Sequence, residues 1–166
     1  LVIGNSAYVS VPELDNPSND AKAVARQLRD LGFEVTLLLD LDKASFEAKV
    51  RDFVGSLKGA EAALFFYAGH GLQVDGRNYM VPVDADVANE ADLPFQLVAL
   101  DIALQSLAAE RITNIVILDA CRNNPLSEKL AKALGERANA VGKGLGTVTT
   151  GTGTLISFST QPGNVA

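Results

Sequence analysis

Two side chains that most often carry chemistry are nearly missing from this sequence: its 166 residues include one cysteine, Cys121, and one histidine, His70. A single cysteine excludes an internal disulfide and any zinc site built on cysteine pairs. Basic residues are also short, 14 Lys and Arg against 20 Asp and Glu, for a net charge of −6. That balance argues against a nucleic-acid footprint, which needs a basic face. It fits a soluble protein whose field favours cationic substrates. No apolar run approaches the roughly 20 residues of a membrane span. Only 6 prolines interrupt a chain that is 48% hydrophobic, enough for a sizeable core in what reads most simply as one domain. Leu1 lies inside an apolar run with no initiator Met, so the chain reads as an excised fragment, silent on leader peptides, further domains and compartment.

The two scarce residues share a setting. His70 follows the apolar run Ala62-Ala63-Leu64-Phe65-Phe66-Tyr67-Ala68-Gly69, and Cys121 follows Ile115-Val116-Ile117-Leu118-Asp119-Ala120. Each run reads as a buried strand that delivers a reactive side chain to a loop at its carboxyl end. In an open parallel sheet that edge is where ligands bind, and a thiol and an imidazole meeting there form a nucleophile–base pair.

Strand and helix signals alternate along the chain. Leu1–Ile3 reads as a strand, and Asn16-Pro17-Ser18-Asn19-Asp20 opens a helix whose apolar positions Ala21, Val24, Ala25, Leu28 and Leu31 keep the helical period up to Gly32. The spacing predicts strands over 33–39, 62–67, 114–118 and 154–159, and helices over 43–57, 97–109 and 126–138. Asp75-Gly76 signals a hairpin turn. Residues 141–153 are Gly- and Thr-rich without periodicity and read as a flexible linker. Near-continuous apolar strands separated by helices predict an α/β fold with a predominantly parallel sheet covered on both faces. Gly69 and Gly71 are not a dinucleotide fingerprint, because the third glycine is missing.

Each candidate has an ordinary reading beside the chemical one. A lone histidine is most often a surface group or a satisfied core residue. Here the flanking glycines allow close backbone approach, and Gly71 can offer a backbone N–H to a developing oxyanion. A lone cysteine is most often an inert small hydrophobe, yet Asp119, Arg122, Asn123 and Asn124 make this strand end polar, and a thiolate beside His70 is stabilised. Asp119 lies two residues before Cys121, so in extended backbone both side chains point the same way. Asp20 falls in the first turn of a helix, where the dipole favours acids. Asp84, Asp86, Glu90 and Asp92 do not match the calcium-loop spacing and read as solvated, so no metal site is expected.

The sequence resembles the caspase-like cysteine peptidases, specifically their paracaspase and bacterial metacaspase-like branch, from Leu1 to Ala166. The resemblance rests on Val2-Ile3-Gly4-Asn5-Ser6-Ala7-Tyr8, Leu14-Asp15-Asn16-Pro17-Ser18-Asn19-Asp20-Ala21, Tyr67-Ala68-Gly69-His70-Gly71, Tyr79-Met80-Val81-Pro82-Val83-Asp84-Ala85 and Leu118-Asp119-Ala120-Cys121-Arg122. His precedes Cys by about 50 residues, as in caspases. Where the caspase signature has Gln two residues before the nucleophile, Asp119 stands here, as in paracaspases and metacaspases.

The resemblance implies a caspase-like open sheet and an endopeptidase in which Cys121 attacks and His70 moves protons, with the N–H groups of Gly71 and Cys121 holding the oxyanion. It makes Asp20 and Asp119 joint walls of an acidic pocket that prefers Arg or Lys in protein or peptide substrates. No cofactor is implied, and calcium dependence stays open. It also divides the chain into a large-subunit-like part (1–140), a linker (141–153) and the start of a small-subunit-like part (154–166). A further strand and helix would follow, on this chain or a second processed chain, and a dimer stays open. Lys129, Lys132, Arg137 and Lys143 offer self-cleavage points in or near the linker. The alternative from another class is a catalytically silent caspase-like interaction or scaffold module. A nucleotide-binding domain is disfavoured because no phosphate loop is present.

Overall fold

The computed structural model describes residues 1–121, 125–142, 145–146, 148 and 153–159. Its elements in chain order are β1 (Val2–Gly4), α1 (Pro17–Asp30), β2 (Leu37–Leu39), α2 (Lys43–Ser56), β3 (Ala62–Val74) and β4 (Arg77–Met80). A 3₁₀ turn (Glu90–Asp92) leads into α3 (Leu93–Gln96), β5 (Val98–Ala99), α4 (Leu100–Ala109) and β6 (Thr113–Cys121). Then come α5 (Pro125–Leu134), a second 3₁₀ turn (Gly135–Ala140), β7 (Val141–Gly142) and β8 (Thr154–Phe158).

β2, β1, β3, β6 and β8 lie side by side, all parallel. Strand parity sorts the core into two faces. Val2, Leu64, Phe66 and Ala68 pack with Ala21, Ala25 and Leu28 of α1. Ile3, Phe65, Tyr67, Val116 and Leu118 face the other way, against Phe46 and Val50 of α2 and Leu100, Ala103 and Leu107 of α4. Each fully buried side chain of this size contributes roughly 1.5–3 kcal/mol. The fold is thus the α/β, mostly parallel sheet with helices on both faces.

β3 differs most from the sequence reading. It runs on to Val74, 13 residues in all, because its second half finds new partners. Residues 71–74 pair antiparallel with β4, and Gln73 and Val74 pair with β7. Asp75 (φ 48°) and Gly76 (φ 78°) close the β3–β4 hairpin in the left-handed conformations that a tight two-residue turn demands. His70 is therefore not in a loop but inside a continuous strand, where the parallel sheet hands over to the antiparallel one. The second strand is shorter than expected, Leu37–Leu39 alone. Phe33 and Val35 still pack towards α1, so their apolar character reports burial rather than pairing. Residues 97–99 are not helical, since Val98 and Ala99 pair with β4. Asn16 occupies the N-cap of α1 without a side-chain cap bond, and Pro17 supplies the start.

Within 141–153, the described residues are seated on the fold. Besides β7, Leu145 is 4% exposed, and Gly146 exchanges two hydrogen bonds with the Asn78 amide. Lys143 lies outside the described residues, and Arg137 is in the second 3₁₀ turn. Among the described residues no helix is long and apolar enough to cross a membrane.

Candidate active site

Parallel pairing of β3 with β6 runs in unbroken register from Ala62↔Thr113 to His70↔Cys121. The two scarce residues are thus direct neighbours at the last rung of the parallel ladder, on strands about 4.8 Å apart. The side chain of Cys121 lies outside the described residues. That of His70 is fully defined. The residue is 1% exposed. Nε2 lies 3.2 Å from the Pro12 carbonyl, which requires the tautomer with the proton on Nε2. Nδ1 is buried and has no hydrogen-bond partner among the described residues. Burial holds the imidazole below its usual pKa of 6.5, with the Pro12 carbonyl opposing in part.

Both flanking glycines are required by close packing. Gly69 has φ +155°, and a Cβ there would lie 2.6 Å from the hydroxyls of Tyr8 and Tyr67. A Cβ on Gly71 would lie 2.8 Å from Leu145 Cγ and 3.0 Å from Ala120 Cβ. Val81 N–H donates to the His70 carbonyl at 3.1 Å, so Gly71↔Met80 is a close, non-hydrogen-bonded pair. The Gly71 amide therefore points away from β4, towards the side on which β6 ends.

Gly4, Ala68 and Asp119 form one row across β1, β3 and β6. Asp119 shares its face with Ile115, Ile117 and α1. The first turn of α1 rests on the same row, because a Cβ on Gly4 would meet Pro17 O at 2.5 Å and Ala21 Cβ at 2.7 Å. Asp20 lies in that turn. Sequence separation alone does not place Asp20; the packing of α1 on Gly4 sets its turn over β1, with β3 between β1 and the Asp119 strand, β6. Both acids are half-buried, and among the described residues neither carboxylate has a hydrogen-bond or ion-pair partner.

A family model for the caspase domain matches residues 1–166. The chain belongs to the caspase domain family. It is 35% identical over 122 residues to human mucosa-associated lymphoid tissue lymphoma translocation protein 1, and equally so to the mouse homologue. These alignments cover 74% of this chain but only 15% and 14% of the two relatives, so the chain spans a small part of their length. As a caspase-type peptidase domain it carries its histidine and cysteine at adjacent strand positions.

Two neighbours of His70 escaped the sequence reading. Pro12 contributes a main-chain carbonyl, which any residue type supplies, so no side-chain signal marks it. Tyr8 lay in plain view within the Val2–Tyr8 motif but carried no role there. The acidic stretch is structural where its contacts are defined. Asp84 accepts from Lys43 N–H at the start of α2, Asp86 pairs with Lys129 at 2.8 Å, and Asp92 accepts from Ala88 and Asn89 N–H. Among the described residues no three His, Cys, Asp or Glu side chains converge as a metal site would require. A cavity of about 790 Å³ opens at the opposite end of the sheet, lined by Leu28, Val35, Phe53 and Leu64 among others. It sits at the amino end of β3, roughly 25 Å of strand from His70, and does not share the site.

Proposed function

We propose that this domain is a cysteine endopeptidase that cleaves after Arg or Lys through Cys121 and His70. The observation that carries the reading is the His70↔Cys121 rung combined with the His70 Nε2 contact to Pro12 O. With its proton on Nε2, the imidazole presents a lone pair at Nδ1 as base. Nδ1 takes the Cys121 thiol proton, and the thiolate forms a C–S bond to the scissile carbonyl. The oxyanion so formed is stabilised by backbone N–H donors at this strand end. Its collapse breaks the C–N bond, and the amine leaves with the proton from Nδ1. Water, deprotonated by His70, then opens the acyl-enzyme and returns the proton to the thiol. The Pro12 carbonyl orients the ring and steadies the transient imidazolium, a part that a carboxylate plays in serine peptidases.

Asp20 and Asp119 are the P1-binding groups of this proposal. Two half-buried carboxylates at one end of one sheet face suit a guanidinium, which can bind two oxygens at once. Lys binds as a point charge, and an acidic P1 residue meets repulsion. Self-cleavage after Arg137 or Lys143 belongs to the same reading. The test is turnover of matched fluorogenic peptides ending in Arg, Lys or Asp, with covalent labelling by an Arg-bearing thiol reagent. Hydrolysis of the basic peptides and labelling at Cys121 are expected. A folded domain that neither cleaves nor is labelled would instead be the silent scaffold module.

A further inference from the structure

We infer that Tyr8 is a positioning residue for His70: its phenol fixes the main chain and ring plane of the histidine so that Nε2 meets the Pro12 carbonyl. The inference rests on the reading of His70 as the base. β1 ends its pairing with β3 at Gly4↔Ala68, so the next β3 amide on that side, that of His70, has no strand to donate to. The Tyr8 hydroxyl takes the place of the missing strand and accepts from His70 N–H at 2.8 Å. The Tyr8 ring lies 4.5 Å from the imidazole, inclined by 50°. Tyr67 Oη, 3.5 Å from the Tyr8 hydroxyl, donates to the His70 carbonyl at 2.8 Å. Gly69 is what admits both hydroxyls.

The loop that carries Tyr8 also carries Pro12, and it is tied down around both. The Asp40 carboxylate accepts from Ser6 and Ala7 N–H at 2.7 and 2.9 Å. Val9 N–H donates to Val83 O at 2.9 Å, and Leu14 N–H to Ser6 O at 3.1 Å. Tyr8 thus couples the amide of His70, its ring face and its Nε2 partner to one anchored segment. A phenylalanine would fill the same volume yet leave the buried His70 amide without its acceptor.

The test is Tyr8→Phe, read in two independent ways. With an Arg-terminated peptide, kcat should fall about tenfold or more while KM stays within about twofold, since Tyr8 touches the histidine and not the P1 carboxylates. Because His70 is the sole histidine, its ring nitrogens can be followed by NMR without assignment. The wild type should show the Nε2–H tautomer, and Tyr8→Phe a mixture. Asp40→Gly loosens the same loop without touching Tyr8, at a left-handed position (φ 53°) where glycine is comfortable. It should move both readouts the same way by a smaller factor, and it carries the test if Tyr8→Phe does not fold. Wild-type kcat together with a wild-type ring spectrum in the folded variant would overturn the inference, as would a loss confined to thermal stability. If the wild type itself cleaves no peptide, the proposed peptidase function fails, and the ring spectra alone decide what Tyr8 does.

Discussion

His70 is enclosed on every side that the structure defines: its amide, its carbonyl, Nε2 and one ring face each have a named neighbour, and the residue is 1% exposed. Asp20 and Asp119 are half-buried, and their carboxylates have no partner among the described residues. Under the proposed function the contrast is one of physical task. A base must keep one tautomer and one direction, and enclosure by fixed donors and acceptors provides that. A charge meant for a ligand's charge is best left partly solvated and unpaired until the ligand arrives, because an internal partner would compete. The buried side of the site is thus read as chemistry and the open side as recognition.

The strongest way to break that division is to remove the chemistry. Cys121→Ala and His70→Ala are each expected to lower turnover of an Arg-terminated peptide by several orders of magnitude. Circular dichroism and the melting profile should show the fold retained. Undiminished turnover in either variant would end the proposed mechanism.

Next comes recognition. A basic P1 residue should be preferred over Asp by at least about a hundredfold in kcat/KM, because a partly desolvated site rejects an unpaired like charge. Asp119→Asn and Asp20→Asn should each erode that ratio with little effect on stability, the reverse of what substitutions around His70 do. Equal turnover of Arg and Asp peptides by the wild type would show that the carboxylates do not line the pocket.

Much of this layout was legible in the sequence. The runs before His70 and Cys121 are apolar and β-rich enough to declare buried strands, and the helical periods around Ala21 and Phe46 are unambiguous. What stayed hidden depends on long-range packing. Gly69 and Gly71 read as a loop because glycine weakens strands, yet here they let Tyr8, Tyr67 and Leu145 press against a strand that continues. Asp20 sits in the first turn of α1, where any acid is favoured, and that this turn rests on Gly4 shows only in the packing. Pro12 was invisible because a carbonyl has no side-chain signature, and Phe33–Thr36 read as strand because burial and pairing leave the same apolar trace.

Gly4 offers a finer test of the open side. Gly4→Ala puts a methyl group against Pro17 O and Ala21 Cβ, which forces the first turn of α1 off the sheet and costs about 1–3 kcal/mol of stability. Asp20 moves with that turn although its own chemistry is untouched. Km for Arg peptides should therefore rise several-fold, measured at a temperature where the variant remains folded, while the His70 ring spectrum stays as in the wild type. A displaced histidine resonance would mean that the two sides are mechanically coupled.

The smallest expected effect concerns pH and belongs to the enclosed side. Burial favours the neutral imidazole, so the folded-state pKa of His70 lies below the 6.5 of the unfolded chain. The sign follows directly: the unfolded chain binds the proton more readily than the folded one. The contribution to stability is fully present above pH 6.5 and is lost as pH falls through the lower, folded-state pKa. Denaturant midpoints measured from pH 7.5 down to pH 5 should thus decline more in the wild type than in His70→Gln, whose amide does not titrate in that window. The same depressed pKa keeps the base neutral below pH 6.5, so the acid limb of kcat/KM should lie lower than for an ordinary histidine. Parallel stability curves for wild type and His70→Gln would show that the imidazole reaches water freely, and the enclosure that separates it from Asp20 and Asp119 would not hold in solution.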